Sequence, residues 1–263
     1  MSSNILSLRI CLIGLLFLTT RSSLAQPTRS DPRDAQGWYG FTLTADLPSK
    51  WDVFGGYQAR FINNLSEYNG SYLTIGGSRK MGKYLELQGD YRMALLRTAI
   101  YHRFTLGAEV TKKIKKFKFS IRGRIQNQLQ DFDDTARLSE SSGYWRVRLQ
   151  GEYRISKKWE VYLSTEPIMK FGGNYFIDNI RNTAGLSYRH SAKLAFSAFY
   201  IYRPDYGKSY NRVYNVFGFA ADYRLLKVKK KKDKKSGASN APAVFYRSVP
   251  DVINSPTIRF PYS

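Results

Sequence analysis

Cysteine is almost absent from this chain, and its absence removes several classes of site. The single cysteine among 263 residues is Cys11, which lies in an N-terminal segment that we expect to be cleaved off. Disulfides, thiolate metal sites and a cysteine nucleophile are therefore excluded from the rest of the chain. Histidine is also scarce, with only His102 and His190.

Apolar runs long enough to form a transmembrane helix are also lacking. The run between Ile10 and Leu18 is shorter than the roughly 20 residues that such a helix needs, and no other run reaches that length. This run follows Arg9 and precedes the small-x-small site Ser23-Leu24-Ala25. The pattern predicts a secretory signal peptide over residues 1–25 and hence an exported protein.

Acidic residues are outnumbered by basic ones. The chain has 42 Lys and Arg against 20 Asp and Glu, which gives a net charge of +22. Part of this excess lies in the lysine-rich run between Lys227 and Lys235, and the remainder is spread along strand-like segments. Nucleic-acid binding is the usual interpretation of such a balance. An exported protein does not meet chromosomal DNA, so we expect no nucleic-acid partner.

Instead, the sequence contains a repeated alternation of apolar and polar side chains over about ten residues. In one stretch Leu85, Leu87, Tyr91 and Met93 share one face, and charged or polar residues share the other. Period-two alternation and turn signals predict eleven strands. They span approximately residues 38–47, 51–61, 71–79, 84–95, 101–112, 117–130, 144–155, 159–170, 180–190, 193–202 and 212–225.

Three features favour a closed barrel in a membrane over a soluble β-sandwich. The segments match the roughly 9–11 residues of a tilted membrane strand and exceed the roughly 5–6 residues of common soluble strands. Short turns alternate with longer polar loops, as in outer-membrane barrels with periplasmic turns and extracellular loops. Aromatic residues near strand ends, among them Trp38, Tyr84 and Trp159, are typical of interfacial girdles.

The predicted fold is all-β, a single transmembrane antiparallel β-barrel of about 10–12 strands over residues 37–225. Eleven strands would make the first and last meet in parallel, and single-chain bacterial barrels have even strand counts, so we favour 12. A flexible lead-in over residues 26–36 precedes the barrel, and a lysine-rich, proline-containing periplasmic tail over residues 226–263 follows it. The expected location is the cell outer membrane, with its lipid as a partner.

Seven short motifs follow one another in order, and the resemblance that they carry covers roughly Trp38 to Leu225. They are Gly37-Trp38-Tyr39-Gly40, Lys50-Trp51, Gly55-Gly56-Tyr57-Gln58-Ala59-Arg60-Phe61, Gly89-Asp90-Tyr91-Arg92, Tyr101-His102-Arg103-Phe104, Gly151-Glu152-Tyr153-Arg154 and Asn215-Val216-Phe217-Gly218-Phe219. The ordered series resembles an uncharacterised family of outer-membrane β-barrels, found mostly in Bacteroidota and known only as a domain of unknown function. The resemblance implies the barrel fold and supplies no catalytic residues. The lysine-rich tail departs from the family pattern, since similar barrels usually end at the last strand.

Charged residues on the polar strand faces form the candidate site, which is the interior of the predicted barrel. Arg122 with Arg124, and Arg146 with Arg148, share one face on neighbouring strands, and rings of arginine favour anions in pores. The alternative, which we favour, is an interior filled by arginine–carboxylate pairs without an open channel. The lumen-lining candidates are Arg60, Glu86, Asp90, Arg92, Arg103, Glu109, Arg122, Arg124, Arg146, Arg148, Glu152 and Arg154, and the same series includes Glu160, Glu166, Arg181 and Arg189.

Three functions remain open for such a barrel. The first is a small porin-like or structural barrel with a charged Arg/Glu-lined lumen, without enzymatic activity, metal or cofactor. The second is a membrane-embedded lipid hydrolase or deacylase, which needs a His beside a Ser hydroxyl. His190 and Ser191 are adjacent, so on a strand they point to opposite faces. The third is an envelope interaction scaffold that acts through its loops or its basic tail, where the lysines between Lys227 and Lys235 would bind an anionic partner.

Overall fold

Eleven β-strands close into one barrel in a computed structural model of the chain, which describes residues 33–97, 99–130, 142–171, 177–206 and 212–226. The predicted signal peptide and nearly all of the predicted tail lie outside these residues. Among the described residues, no helix is long and apolar enough to cross a membrane. The strands are β1 (Arg33–Asp46), β2 (Trp51–Ile62), β3 (Glu67–Met81), β4 (Leu85–Leu96), β5 (Ile100–Ile114), β6 (Phe117–Gln130), β7 (Ser142–Arg154), β8 (Trp159–Lys170), β9 (Ile177–Arg189), β10 (Leu194–Pro204) and β11 (Val213–Leu226).

The prediction of an all-β barrel from the alternation of side chains is confirmed. β6 and β8 have the predicted bounds, and the other strands differ from prediction by a few residues at their ends. Each strand pairs with its chain neighbours in antiparallel fashion, so every connection is a hairpin. The connections at the end of the barrel where β1 ends, which we call the turn side, are all short. At the opposite end, the loop side, the β2–β3 and β4–β5 connections are equally short and the other three are longer, so the predicted alternation of short turns and longer loops holds only for the second half of the barrel.

The barrel closes between β1 and β11, and these two strands run parallel. Their ladder extends from Arg33 opposite Val213 to Ala45 opposite Leu226. The number of strands is therefore eleven, within the predicted range, and the even count that we favoured is wrong for the described barrel. The physical reason is that a parallel ladder also pairs the backbone N–H and C=O groups of two edge strands, so closure requires no twelfth strand.

Alternating side chains divide between the two faces of the wall. Leu106, Ile121, Ile125 and Leu163 are among the large apolar residues exposed on the outside, where a lipid bilayer would cover them. The residues between them on each strand face inward and are mostly polar or charged. A soluble barrel would bury the first set and expose the second, so the distribution is that of a membrane protein.

The first strand begins earlier than predicted, at Arg33, so the last four residues of the predicted lead-in belong to β1. The loop between β2 and β3 holds this segment. The backbone N–H of Asn64 donates to Asp34 Oδ1 at 3.0 Å, and the side chain of Asn64 accepts from the N–H of Ala35 at 3.3 Å. The N–H of Leu65 donates to the Ala35 carbonyl at 3.1 Å. These long-range bonds are absent from any local sequence pattern.

Candidate functional site in the barrel interior

The inward face of the barrel concentrates charge. Strand alternation turns arginines from most of the strands toward the same enclosed space, and more arginines than carboxylates are buried there. Among the described residues, the buried arginines are Arg60, Arg92, Arg103, Arg122, Arg124, Arg146, Arg148, Arg181 and Arg203, and the buried carboxylates are Asp52, Glu152, Glu166 and Asp205.

Glu166 on β8 joins two arginines from the two preceding strands. Its Oε1 lies 2.9 Å from Arg122 Nη2, and its Oε2 lies 2.5 Å from Arg146 Nη2. Both guanidinium groups donate to the one carboxylate, and only 2% of the surface of Glu166 is exposed. Charge-assisted hydrogen bonds of this kind are strong and, when buried, little screened by salt.

Other carboxylates pair with basic residues along the same wall. Asp90 and Glu109, which are half-buried, also belong to this network. The partner of Glu152 is its direct neighbour on β6, whereas Asp90 and Glu109 reach arginines two strands away. The shortest distances are 3.4 Å for Asp90–Arg124, 3.3 Å for Glu109–Arg148 and 2.7 Å for Glu152–Lys118.

Trp38 lies inside the barrel, so its predicted place in an interfacial girdle is wrong. The side chain is fully buried because the even-numbered residues of β1 face inward. The guanidinium carbon of Arg60 lies 3.9 Å from the Trp38 ring centroid and 4.0 Å from that of Tyr72. Arg60 Nε also donates to Gln58 Oε1 at 2.8 Å. The cation is thus held by two aromatic faces and an amide.

Arg181 on β9 differs from the arginines around it. Its exposed fraction is 1%, and none of its three guanidinium nitrogens has a hydrogen-bond partner among the described residues. The Trp38 ring centroid lies 5.8 Å from its guanidinium carbon. Buried polar groups are nearly always hydrogen-bonded, so this side chain is conspicuous within an otherwise paired network.

An apolar wall formed by β10, β11 and β1 faces the arginines. The sequence pattern did not predict this wall. The segment 195–202 is apolar on both faces, which is typical of strands covered on both sides and is the signal that could have found this wall. The buried members Trp38, Phe199, Ile201, Val216 and Ala220 pack together, with Phe54, Tyr162 and Tyr214 against them.

A cavity of about 90 Å³ opens from the turn side into the interior. The exposed turn residues Lys157 and Lys158 line its mouth, and Tyr162 and Phe199 line its inner part. Arg154, a predicted lumen residue, is exposed and lines the same cavity. The interior is therefore accessible from the turn side as far as the aromatic end of the apolar wall.

The structure places the predicted lumen residues at different depths. Whether any of them contacts a solute stays a prediction. Arg203 was missed because the predicted strand stopped at residue 202; its Nε lies 3.4 Å from Asp205 Oδ1. Of the twelve candidates, Arg60, Arg92, Arg103, Arg122, Arg124, Arg146, Arg148 and Glu152 are buried, Glu86, Asp90 and Glu109 are half-buried, and Arg154 is exposed.

Aromatic rings lie beside both histidines in the described part of the chain: Tyr91 beside His102, and Tyr188 and Phe196 beside His190. His102 Nδ1 lies 2.7 Å from the hydroxyl of Tyr91, and their rings stack. The hydroxyl of Ser191 accepts hydrogen bonds from the backbone N–H groups of Lys193 and Leu194, which is the role of a turn cap. Among the described residues, no group of His, Asp and Glu could hold a metal ion.

Comparison with known proteins agrees with the barrel. Residues 35–214 match the family described as "Protein of unknown function (DUF2490)". In structure, the chain is similar to the NanC porin, with a TM-score of 0.51 and 13% identity over 73% of this chain and 99% of the porin. At this identity the likeness shows the fold alone.

Other solved outer-membrane structures match less well. The β domain of the Bordetella autotransporter BrkA has a TM-score of 0.39 and 12% identity, over 64% of this chain and 81% of that one. OccK8 of Pseudomonas aeruginosa has a TM-score of 0.31 and 11% identity, over 60% of this chain and 54% of that one. No curated protein matches the chain in sequence.

Proposed function

Since the chain belongs to the DUF2490 family of proteins of unknown function and has a porin-like barrel fold, we propose that it is an outer-membrane protein whose interior selects small anions. The observation that carries this proposal is the surplus of positive charge inside the barrel. Among the described residues, nine buried arginines face four buried carboxylates and Asp90, which is half-buried as a whole residue but whose side chain is only 5% exposed.

The physical basis is the low dielectric constant of the interior. Fixed positive charge attracts an anion and repels a cation more strongly there than in water. Arginine suits this role because its guanidinium remains charged and presents a planar fork of donors that matches carboxylate and phosphate. Most of the arginines already have partners within the protein, whereas Arg181 has no acceptor among the described residues, so a mobile anion would supply one.

A structural barrel with a filled interior is the second candidate. It is favoured by the contacts of Glu166, which bridges Arg122 and Arg146 and so links three strands across the inner wall. Nine buried arginine side chains also occupy much of the enclosed space. Such a barrel would insert and fold without passing ions.

Reversal potentials in planar bilayers separate the two candidates. The chain without residues 1–25 would be refolded and studied under a KCl gradient. Anion-selective conductance is expected, and Arg181→Gln should lower the ratio of chloride to potassium permeability because it removes a positive charge from the interior. The matched control is Lys115→Gln, which removes an exposed charge from the turn after β5.

Three results would contradict anion selection by the barrel interior. A folded barrel without conductance would support the structural candidate. Conductance without ion preference, or a permeability ratio that Lys115→Gln lowers as much as Arg181→Gln, would contradict selection by the interior. The folded state is verified by the strand signal in circular dichroism.

A further inference from the structure

Three aromatic side chains form a track along the apolar wall. Tyr162 on β8, Phe199 on β10 and Trp38 on β1 lie in one row of paired residues, and Gly185 and Gly218 stand between them. A Cβ at Gly185 would lie 2.2 Å from Tyr162 Cζ, and a Cβ at Gly218 would lie 1.9 Å from Phe199 Cζ. Each ring thus occupies the place that the neighbouring side chain would take, and the three rings share one apolar cluster.

The two ends of this aromatic track have different surroundings. At one end, Tyr162 and Phe199 line the cavity that opens on the turn side. At the other end, the Trp38 ring is approached by two guanidinium groups, with the Arg60 carbon at 3.9 Å and the Arg181 carbon at 5.8 Å from its centroid. The row of rings therefore runs from an accessible cavity, whose lining includes Tyr162 and Phe199 but neither Trp38 nor Arg181, to a pair of buried cations.

Arg181 is the cation at this end whose hydrogen bonds are unused. The residues with which it interacts most strongly by charge include Arg146, Arg203 and Arg60, and the one carboxylate among them is Glu166. Both oxygens of Glu166 already accept from other arginines. A buried guanidinium without an acceptor is costly, and a bound anion would remove that cost.

We propose that the aromatic track and Arg181 form a binding site for a small organic carboxylate with an apolar ring. The carboxylate accepts hydrogen bonds from the Arg181 guanidinium and the ring packs on Trp38 and Phe199, which requires the side chains that now cover Trp38 and Arg181 to move aside. An inorganic anion would make no contact with the aromatic rings, and a neutral ring would leave Arg181 without an acceptor. This inference rests on the proposed function, in which the barrel interior selects small anions. It narrows those anions to carboxylates that carry an apolar ring.

Three probes test the two halves of the site separately. Phenylacetate carries both a carboxylate and a ring, inorganic phosphate carries charge alone, and benzyl alcohol carries a ring alone. Isothermal calorimetry would titrate each probe into the chain without residues 1–25 in detergent micelles, with empty micelles as the blank. Phenylacetate is expected to bind at least about tenfold more tightly than either other probe, because only it satisfies both contacts.

Two variants test whether phenylacetate binds at Arg181. Arg181→Gln, which keeps a similar shape without the charge, should weaken phenylacetate binding at least about tenfold. Arg79→Gln is the matched control, because Arg79 is exposed and belongs neither to the track nor to the interior charges; its variant should keep the wild-type affinity. Equal affinity for phenylacetate and phosphate in the wild-type chain would overturn the proposal, and so would unchanged phenylacetate binding in folded Arg181→Gln.

The binding experiment and the conductance experiment can fail independently of each other. Anion-selective conductance without preference for phenylacetate would reject the aromatic site and keep the channel. Preferential phenylacetate binding by a barrel that does not conduct would keep the site and reject the channel. If Arg181→Gln does not fold, the comparison of the three probes with the wild-type chain still decides the proposal.

Discussion

Phe199 covers Gly218 on the adjacent strand so closely that the glycine position can hold no side chain. The ring carbon Cζ would lie 1.9 Å from a Cβ at Gly218, and the two residues are direct partners in the β10–β11 ladder. Glycine inside a strand often marks such a close approach. The absence of one side chain therefore fixes the position of an interior ring.

Gly218→Ala is expected to lower the free energy of unfolding by about 1–3 kcal/mol, the usual cost of overpacking. The ring of Phe199 would have to move, and the apolar wall around it would repack. Equilibrium urea unfolding of the refolded protein in lipid vesicles, followed by tryptophan fluorescence, measures the change.

Gly123→Ala is the matched control for that substitution. Gly123 lies on the outer face of β6, and a Cβ there would meet nothing within 4 Å. Its effect should stay within about 0.5 kcal/mol. Equal losses for the two variants would show that the contact between Phe199 and Gly218 does not determine stability.

Glu166→Gln is expected to destabilise the barrel by about 3–5 kcal/mol, because it leaves Arg122 and Arg146 buried without their shared carboxylate. The comparison is Glu67→Gln at the exposed pair between Glu67 and Arg97, where a loss of about 0–1 kcal/mol is expected. Urea unfolding of both variants gives the two values. A loss at Glu166 as small as that at Glu67 would mean that the interior network contributes little to stability.

The start of β1 should depend on the loop between β2 and β3. Asp34→Ala removes the acceptor of the Asn64 N–H and of the Gln36 side-chain amide and should cost about 1–3 kcal/mol, the net value of two hydrogen bonds. Hydrogen exchange followed by mass spectrometry should show faster exchange near Ala35. Ser66→Ala is the control, since the Ser66 hydroxyl in the same loop donates to the Asn63 carbonyl instead. Faster exchange in both variants alike would contradict a specific role for Asp34.

The sequence is sufficient to predict the strands, because their alternation is a local property. β6 runs from Phe117 to Gln130 as predicted, since apolar and polar residues alternate there with interruptions only at Gly123 and Asn127. The same alternation places Arg122 inward whichever way the barrel closes. Local pattern thus determines which side chains face the interior.

A local sequence pattern cannot predict which interior side chains contact each other. The contact between Arg122 and Glu166 joins residues 44 positions apart, and it depends on the registers of two intervening hairpins. Trp38 illustrates the same limit, because its position near the start of a strand is typical of a girdle while its register turns it inward. The apolar wall was missed because β10 is apolar on both faces, so its alternation does not distinguish inside from outside.

The closure of the barrel also depends on the pairing of two strands that lie far apart in the sequence. An even strand count follows from antiparallel pairing throughout, whereas the described barrel closes through a parallel ladder between β1 and β11. Phe41 and Ala221 are partners in this ladder. Partners on adjacent strands lie about 5 Å apart, within the range of Cα distances that a disulfide can bridge.

A cysteine pair therefore tests the closure directly. Phe41→Cys with Ala221→Cys is expected to form an oxidised cross-link in the folded barrel, because the residues face the same side of adjacent strands. The chain without residues 1–25 has no other cysteine, so peptide mapping by mass spectrometry identifies the bond without ambiguity. Reduction should restore the mobility of the uncross-linked protein on a denaturing gel.

Phe41→Cys with Phe217→Cys is the register control. Phe217 lies four residues from Ala221 on the same face of β11, a separation of about 13 Å along the strand, so this pair should not cross-link. Failure of Phe41→Cys with Ala221→Cys to form the bond in the folded barrel would mean that β1 and β11 are not neighbours. A strand from outside the described residues would then have to lie between them, and the even count predicted from the sequence would be restored.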